Sequence, residues 1–271
     1  MHMKIKFWKM HGAGNDFILV DDRAGVFPVR DRRWISRACS RHDGIGSEGL
    51  ILLQKSGQAS FFMRFFNPDG SGADMCGNGL RCAARLALDL GIAGRKMTIE
   101  TRSGILNASV AGTGVRVSMP LASDARLAFP VRALGRRYIC SLINTGVPHL
   151  VIATGNLEAV DLPGLGPALR YHRAFAPAGT NVDFMQVTGR HSIAVRTYER
   201  GVEAETPACG TGITACAVVA ALLGKAQPPV RVKCRHGDML EVDFTIRGNG
   251  VEDIALAGPA KYVFSGEILY P

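Results

Sequence analysis

Two cysteines stand in near-identical settings. Residues 76–84 read Cys-Gly-Asn-Gly-Leu-Arg-Cys-Ala-Ala, and residues 209–217 read Cys-Gly-Thr-Gly-Ile-Thr-Ala-Cys-Ala. Each sequence puts a thiol before a Gly-x-Gly turn that runs into an apolar, alanine-rich segment. That segment is long enough for a helix of about three turns, so Cys76 and Cys209 are predicted at helix N-termini. The first backbone N–H groups of a helix lie outside its own hydrogen-bond ladder, and the positive end of the macrodipole is there too. Both favour an anion. A thiol in such a place is expected to have a lowered pKa, and the glycines let the backbone approach a ligand closely. One such thiol is a candidate nucleophile or base. Two of them point to a pair sharing one substrate.

The elements that must position these thiols also occur twice. The residue numbers of Cys76 and Cys209 differ by 133, as do those of Gly46 and Gly179 and of Gly104 and Gly237. Gly14 and Gly146, and Arg64 and Arg196, differ by 132. The texture agrees around these anchors: Arg64-Phe65-Phe66-Asn67 faces Arg196-Thr197-Tyr198-Glu199, and Ser103-Gly104-Ile105-Leu106 faces His236-Gly237-Asp238-Met239-Leu240. This is read as a tandem duplication with a pseudo-twofold relation and one cysteine per half. Solenoid repeats are several-fold shorter.

Along the chain, each half is predicted as mostly strand with one dominant helix. Lys4–Phe7 starts a strand, His11–Asp16 is a glycine-rich turn without the third glycine of a dinucleotide fingerprint, and Phe17–Val20 is a buried strand. Arg30–Arg41 has the spacing of an amphipathic helix. Leu50–Leu53 and Phe61–Phe66 are antiparallel neighbours, and Lys96–Thr101 with Ile105–Val110 form a hairpin. Pro120–Pro130 is the expected boundary, after which the order repeats. The second cysteine helix is apolar all round (Ile213, Ala215, Ala217, Val218, Val219, Leu222), so it must be buried on every side. The predicted class is α+β. It has two pseudo-symmetric domains, each a curved, barrel-like mixed or antiparallel sheet wrapped around a central helix. The expected domains are 1–120, joined by a C-terminal strand at 260–271, and 121–259.

Bulk properties narrow the function. With 271 residues, each half is long enough to bury a core, and 47% hydrophobic residues is a globular composition. The longest apolar run, Ala215–Leu223, is too short to span a bilayer, and no secretion signal is visible near Lys4, Lys6 and Lys9. A cytoplasmic protein that does not bind membranes is expected. The odd count of seven cysteines and the lack of a secretion signal argue against a disulfide framework, and the lack of any Cys-x-x-Cys pair argues against a structural metal site. Cys39, Cys82, Cys140 and Cys216 are read as small core residues. The net charge of +9 is scattered, apart from Arg30–Arg33 and Arg136-Arg137, so a solvated basic surface is preferred to a nucleic-acid site.

The motifs together resemble the diaminopimelate epimerase family along nearly the whole chain. They are Lys9-Met10-His11-Gly12-Ala13-Gly14-Asn15-Asp16-Phe17, Asn67-Pro68-Asp69-Gly70-Ser71, Met75-Cys76-Gly77-Asn78-Gly79-Leu80-Arg81, Tyr198-Glu199-Arg200-Gly201 and Ala208-Cys209-Gly210-Thr211-Gly212. The resemblance implies a cofactor-independent, homodimeric isomerase that interconverts LL- and meso-diaminopimelate in lysine and peptidoglycan-precursor biosynthesis. It also implies two domains that close over the substrate. Cys76 and Cys209 are implied as the two bases, with His149 and Glu199 tuning or relaying their protons. The backbone N–H groups of Gly77, Asn78, Gly210 and Thr211 are implied to hold the α-carboxylate. Asn15, Asn67, Asn181 and Arg200 are implied to hold the distal amino-acid centre. No pyridoxal phosphate is implied, and no motif for it is present.

Two positions depart from the family pattern. Val147 stands where Asn is common, and Gly49 where Gln is common; both fall in the distal recognition region. One extra residue between Gly201 and Cys209 bears on the placement of Glu205. The competing readings are another cofactor-independent racemase of the same fold, acting on histidine, proline or glutamate; a thiol-disulfide oxidoreductase; and a nucleic-acid-binding protein.

Overall fold

The protein is described by a computed structural model covering residues 3–73, 76–235, 237–248 and 250–271. Met75 and His236, named in the motifs and repeat above, lie outside the described residues. Contacts divide the chain into two compact units, one reaching Val117 and completed by Gly258–Pro271, the other Ser118–Ala257.

In the first unit the elements are β1 (Met3–Gly12), β2 (Asn15–Asp21), α1 (Arg32–Cys39), β3 (Leu50–Gln54), β4 (Phe61–Phe66), β5 (Gly72–Ala73), α2 (Gly77–Asp89), β6 (Lys96–Thr101), β7 (Gly104–Ala111) and β8 (Gly114–Ser118). The second holds β9 (Ser123–Ala133), β10 (Arg136–Asn144), β11 (Pro148–Ala153), α3 (Leu162–Arg170), β12 (Asn181–Gly189), β13 (Ser192–Glu199), β14 (Ala204–Thr206), α4 (Gly210–Leu222), β15 (Val230–Lys233), β16 (Met239–Arg247) and β17 (Gly250–Pro259). The last strand, β18 (Lys261–Tyr270), returns to pair with β1.

The strands of the two units are wired alike. In the first, β1–β2 is antiparallel, β2–β3 parallel, β3–β4 antiparallel, β4–β6 parallel, and β6–β7 and β7–β8 antiparallel. In the second, β10–β11, β11–β12, β12–β13, β13–β15, β15–β16 and β16–β17 repeat that sequence of senses. The short β5 and β14 attach antiparallel to β4 and β13, and each leads into a cysteine helix. Where β18 flanks β1, β9 flanks β10. The paired glycines share their backbone state: φ is +83° and +108° at Gly14 and Gly146, +78° and +66° at Gly46 and Gly179, and +115° and +88° at Gly104 and Gly237. Side chains rarely adopt this left-handed region, so the anchors mark bends that both halves have to make.

Each cysteine helix is the hub of its unit. α2 packs against β1, β2, β3 and β7, and α4 against β10–β13, β15 and β16. Along α4, Ile213 through Ala221 is buried without interruption. That explains its all-round apolar sequence, since a helix with no polar stripe cannot face water. α1 starts at Asp31, whose carboxylate accepts the Trp34 N–H at 3.0 Å, and it buries Trp34, Ile35, Ala38 and Cys39. These join Ile5, Phe7, Ile18, Val20 and Phe27 in the core of the first unit. The second core gathers Leu150, Ile152, Val182 and Phe184 under Leu162, Leu165 and Leu169 of α3.

The Pro120–Pro130 stretch is a strand from Ser123 onward. Phe129, Val131 and Ala133 alternate inward, and this period-two pattern prevails over the prolines. Left-handed residues at Asp124 and Ala128 and two register shifts against β10 keep it irregular. Among the described residues no helix is long and apolar enough to cross a membrane.

Candidate active site

Cys76 and Cys209 are the N-cap residues of α2 and α4. Both have extended backbone, φ −141°, ψ 116° and φ −103°, ψ 110°, and neither side chain caps its helix. Each sulfur is therefore left to other partners, while Gly77 and Asn78, or Gly210 and Thr211, form the first turn.

In the first unit, the β1–β2 hairpin turns through Ala13 and Gly14, with φ of +56° and +83°. Both central residues are left-handed, as a tight primed turn requires. The turn delivers Asn15 to Cys76: Asn15 Oδ1 accepts from the Cys76 thiol at 3.7 Å and from Asn78 Nδ2 at 3.3 Å, while its own Nδ2 donates to Glu48. Asn78 is held from the other side by Arg81, whose Nη2 donates to Asn78 Oδ1 at 2.9 Å. Arg81 is fully buried. Next to Asn15, Asp16 accepts from Arg41 at 2.8 and 3.2 Å and pairs with the buried Lys9, whose ammonium also donates to the Gly46 carbonyl. Burial pushes the Asp16 carboxyl up, but the bonds from Arg41 and Lys9 outweigh it and hold the group below the usual range. Burial pushes Glu48 up. Asn67 donates from Nδ2 to Ser71 Oγ at 3.1 Å, within its own turn.

In the second unit, Cys209 Sγ lies 3.4 Å from Thr211 Oγ1, which lies 2.9 Å from His149 Nε2. His149 Nδ1 is 2.7 Å from Asp183 Oδ2, and both residues are fully buried. Glu199 accepts from Thr206 Oγ1 at 2.8 Å. Asn181 ties two strand ends together: its Nδ2 donates to the Pro148 carbonyl at 3.0 Å, and its Oδ1 accepts the Arg200 N–H at 2.8 Å. The Arg200 guanidinium donates to the Ala178 carbonyl at 3.4 Å. Glu205 forms a two-point pair with Arg196, both contacts 2.8 Å.

One expectation is overturned here. A lowered thiol pKa was expected at each helix N-terminus, but the Cys209 thiol is pushed well above its ordinary value. Burial is the chief cause, with the Glu199 and Asp183 carboxylates adding to it. The Thr211 hydroxyl and the Gly212 N–H pull the other way and lose. The partial charge of a helix end does not offset removal of a thiolate from water beside two carboxylates. Cys82 and Cys140, read as core residues, are buried and pushed up to about 12 and about 11.

Four groups beside the thiols were not picked out from the sequence as site residues: Glu48, Arg81, Asp183 and Thr197. Asp183 left a signal, the single charge of its strand, which is costly to bury unless bonded, whereas Arg81 shares α2 with Arg85 and Asp89 and does not stand out. Glu48 lies in a glycine-rich loop and left none. Val147 is half-buried and its carbonyl accepts the Thr145 N–H at 3.2 Å. Gly49 abuts Phe65, and a Cβ there would collide with the ring edge and with the Phe66 carbonyl. Among the described residues no cluster of three or more His, Cys, Asp and Glu is arranged to hold a metal ion.

Comparison with known proteins agrees with the geometry. The family model described as "Diaminopimelate epimerase" matches residues 7–123 and 141–263. A diaminopimelate epimerase from Aquifex aeolicus (strain VF5) is 41% identical over 275 residues, covering 97% of this chain and 98% of that protein. Solved structures share the fold at low identity. A PhzF-family phenazine biosynthesis protein from Bacillus anthracis superposes with TM-score 0.76 at 16% identity, covering 99% of this chain and 100% of the other. A hydroxyproline epimerase from Agrobacterium vitis gives 0.72 at 15%, covering 98% and 92%. A two-domain α+β chain that carries the same cysteine-capped helix in both units, matched along nearly its full length, belongs to the diaminopimelate epimerase family of isomerases.

Proposed function

We propose that the protein interconverts LL- and meso-diaminopimelate by cofactor-independent two-base chemistry, with Cys76 and Cys209 as the two groups. The observation that carries this is the repeated one: in the same topological place of each unit, a cysteine caps a buried, glycine-led helix and leaves its sulfur unused by the cap. The α-proton of an amino acid is weakly acidic. One thiolate removes it from one face while the other thiol delivers a proton to the opposite face, and the roles exchange in the reverse direction. The proton count balances over the turnover: one sulfur gains what the other loses.

The N–H groups of Gly77, Asn78, Gly210 and Thr211 bind the α-carboxylate and stabilise charge as it develops on the α-carbon. Cys209, pushed up by burial and by its two carboxylate neighbours, starts as the proton donor. His149 and Glu199 set its protonation. Asn15, Asn67 and Asn181 recognise the distal amino-acid centre, and Arg200 takes the distal carboxylate in a two-point grip. The protein serves lysine and peptidoglycan-precursor biosynthesis in the cytoplasm and acts as a homodimer, which sedimentation would test.

Proton NMR of LL-diaminopimelate in D₂O with the purified protein tests the reading. Loss of the α-proton signal together with growth of the meso isomer is expected; no exchange sinks the substrate assignment. A second reading, a racemase of a smaller amino acid on this fold, draws on Gly49 and Val147, which offer no side-chain polar group where the family commonly has one. Arg200→Ala separates diaminopimelate from proline as substrate, since proline has no second carboxylate for that guanidinium to hold.

A further inference from the structure

A line of polar groups is buried behind Cys209. Its sulfur is 3.4 Å from Thr211 Oγ1, that oxygen is 2.9 Å from His149 Nε2, and His149 Nδ1 is 2.7 Å from Asp183 Oδ2. The line ends at Thr197, whose hydroxyl donates to Asp183 Oδ1 at 2.7 Å. Asp183 and His149 are 0% exposed and Thr197 3%. The start of α4 is shaped around the carboxylate: a Cβ on Gly212 would collide with Asp183 Oδ1. A carboxylate sealed this far from water is tolerable only when its oxygens are bonded, and both are.

The direction of the chain follows from its end. An ionised carboxylate can only accept. Thr197 occupies Oδ1, so Oδ2 takes a proton from Nδ1 of the imidazole. A neutral ring protonated at Nδ1 presents a lone pair at Nε2, so the Thr211 hydroxyl donates to it. The Thr211 oxygen then turns a lone pair to the Cys209 S–H.

We propose that Asp183 is a positioning residue for the reaction: it fixes the tautomer of His149, sets the direction of the Cys209–Thr211–His149 chain, and so holds Cys209 as the thiol in the free protein, from which it starts as the proton donor. This rests on the reading that Cys209 is one of the two acid–base groups. The charged groups facing Cys209 from the elements around it are Asp183 in β12 and Glu199 at the end of β13. Only Asp183 acts through the imidazole. If Asp183 merely stabilised the fold, removing its charge at constant shape would change stability and leave the tautomer alone.

The test uses the full chain labelled with ¹⁵N-histidine, with the His149 signals assigned by their loss in His149→Gln. In the wild-type protein Nδ1 is expected to carry the proton and Nε2 none. Asp183→Asn can donate to Nδ1, so the tautomer inverts, Nε2–H donates to Thr211, and the Thr211 hydroxyl turns to the sulfur and favours thiolate. Labelling of Cys209 by iodoacetamide at pH 7, followed by peptide mass spectrometry, is then expected to rise at least about tenfold, the change for one pKa unit. The kcat is expected to fall by roughly 10²-fold, the lower end for a lost acid–base contribution, with KM little changed. A proton on Nε2 of the wild-type ring, or an Asn variant whose tautomer is unchanged whatever its labelling, overturns the proposal. If Asp183→Asn does not fold, the wild-type tautomer still decides, together with Thr211→Val, in which Cys209 labelling changes while His149 keeps its Nδ1 proton. Neither spectroscopy nor labelling uses turnover. A protein inactive on diaminopimelate that gives the expected tautomer and labelling removes the substrate reading alone.

Discussion

At the scale of single residues, the two thiols sit in different surroundings despite matching sequences. Cys76 is half-buried and bonded to an asparagine amide, whereas Cys209 is buried beside two carboxylates. Cys76→Ser and Cys209→Ser are each expected to lower epimerisation by roughly 10²- to 10⁴-fold, because each thiol serves one face of the α-carbon and a hydroxyl is a far poorer base at neutral pH. Full turnover between the LL and meso forms by either variant would contradict the two-base assignment. The raised Cys209 pKa has a definite sign: at neutral pH less of it is thiolate than in an ordinary cysteine, so its alkylation rate should climb only at alkaline pH. Glu199→Gln removes one of the charges that push it up, and the rate–pH curve is expected to move to lower pH. A curve that stays in place, read by peptide mass spectrometry, would show that Glu199 does not act on this thiol.

At the scale of elements, close packing restricts which residue can stand at position 49. The position occupied by Gly49 leaves no room for a side chain, because the Phe65 ring fills that space from β4 and itself packs edge-on against Phe17 at 6.0 Å. Gly49→Ala is therefore expected to destabilise the protein by about 1–3 kcal/mol, the range for overpacking a filled core. Combining it with Phe65→Leu should recover part of that loss. Urea unfolding of the single and double variants measures both, and a Gly49→Ala protein as stable as the parent would show that Phe65 yields freely. The helix starts were legible at this scale because the Gly-x-Gly pattern dictates local backbone. The Pro120–Pro130 strand was not, since inward-facing Phe129, Val131 and Ala133 gain their burial only against the rest of the second unit.

At the scale of the whole molecule, one strand-and-helix plan is used twice, and each copy carries its own ionic cluster. Lys9, Asp16 and Arg41 fasten the β1–β2 hairpin of the first unit. The Asp16 carboxyl is held below its ordinary value of about 3.8 by Arg41 and Lys9 acting against burial. A carboxyl whose folded pKa is depressed stabilises the fold above its unfolded pKa and loses that contribution as pH falls through the folded value. Acid unfolding below about pH 3.8 is therefore expected to be steeper in the wild-type protein than in Asp16→Asn. Parallel acid titrations by circular dichroism would show no weakening of the pH dependence in the variant if the cluster were inert.

The sequence by itself determined the fold class, the duplication and the identity of the two cysteine helices. Glycine spacing, apolar helix faces and strand alternation act within a few residues, so they can be read from the chain. It also carried the family membership, which rests on motif chemistry at Cys76, Cys209 and the residues around them. Only the tertiary structure decided the protonation of the site. Whether a helix-end thiol is pushed down or up depends on what is buried against it. For Cys209 that is Glu199 and Asp183, which lie 10 and 26 positions earlier in the chain. Glu48, Arg81 and Asp183 became visible as parts of the site only once folding had placed them against Asn15, Asn78 and His149. Charge acts through space, and distance in space is what the sequence does not print.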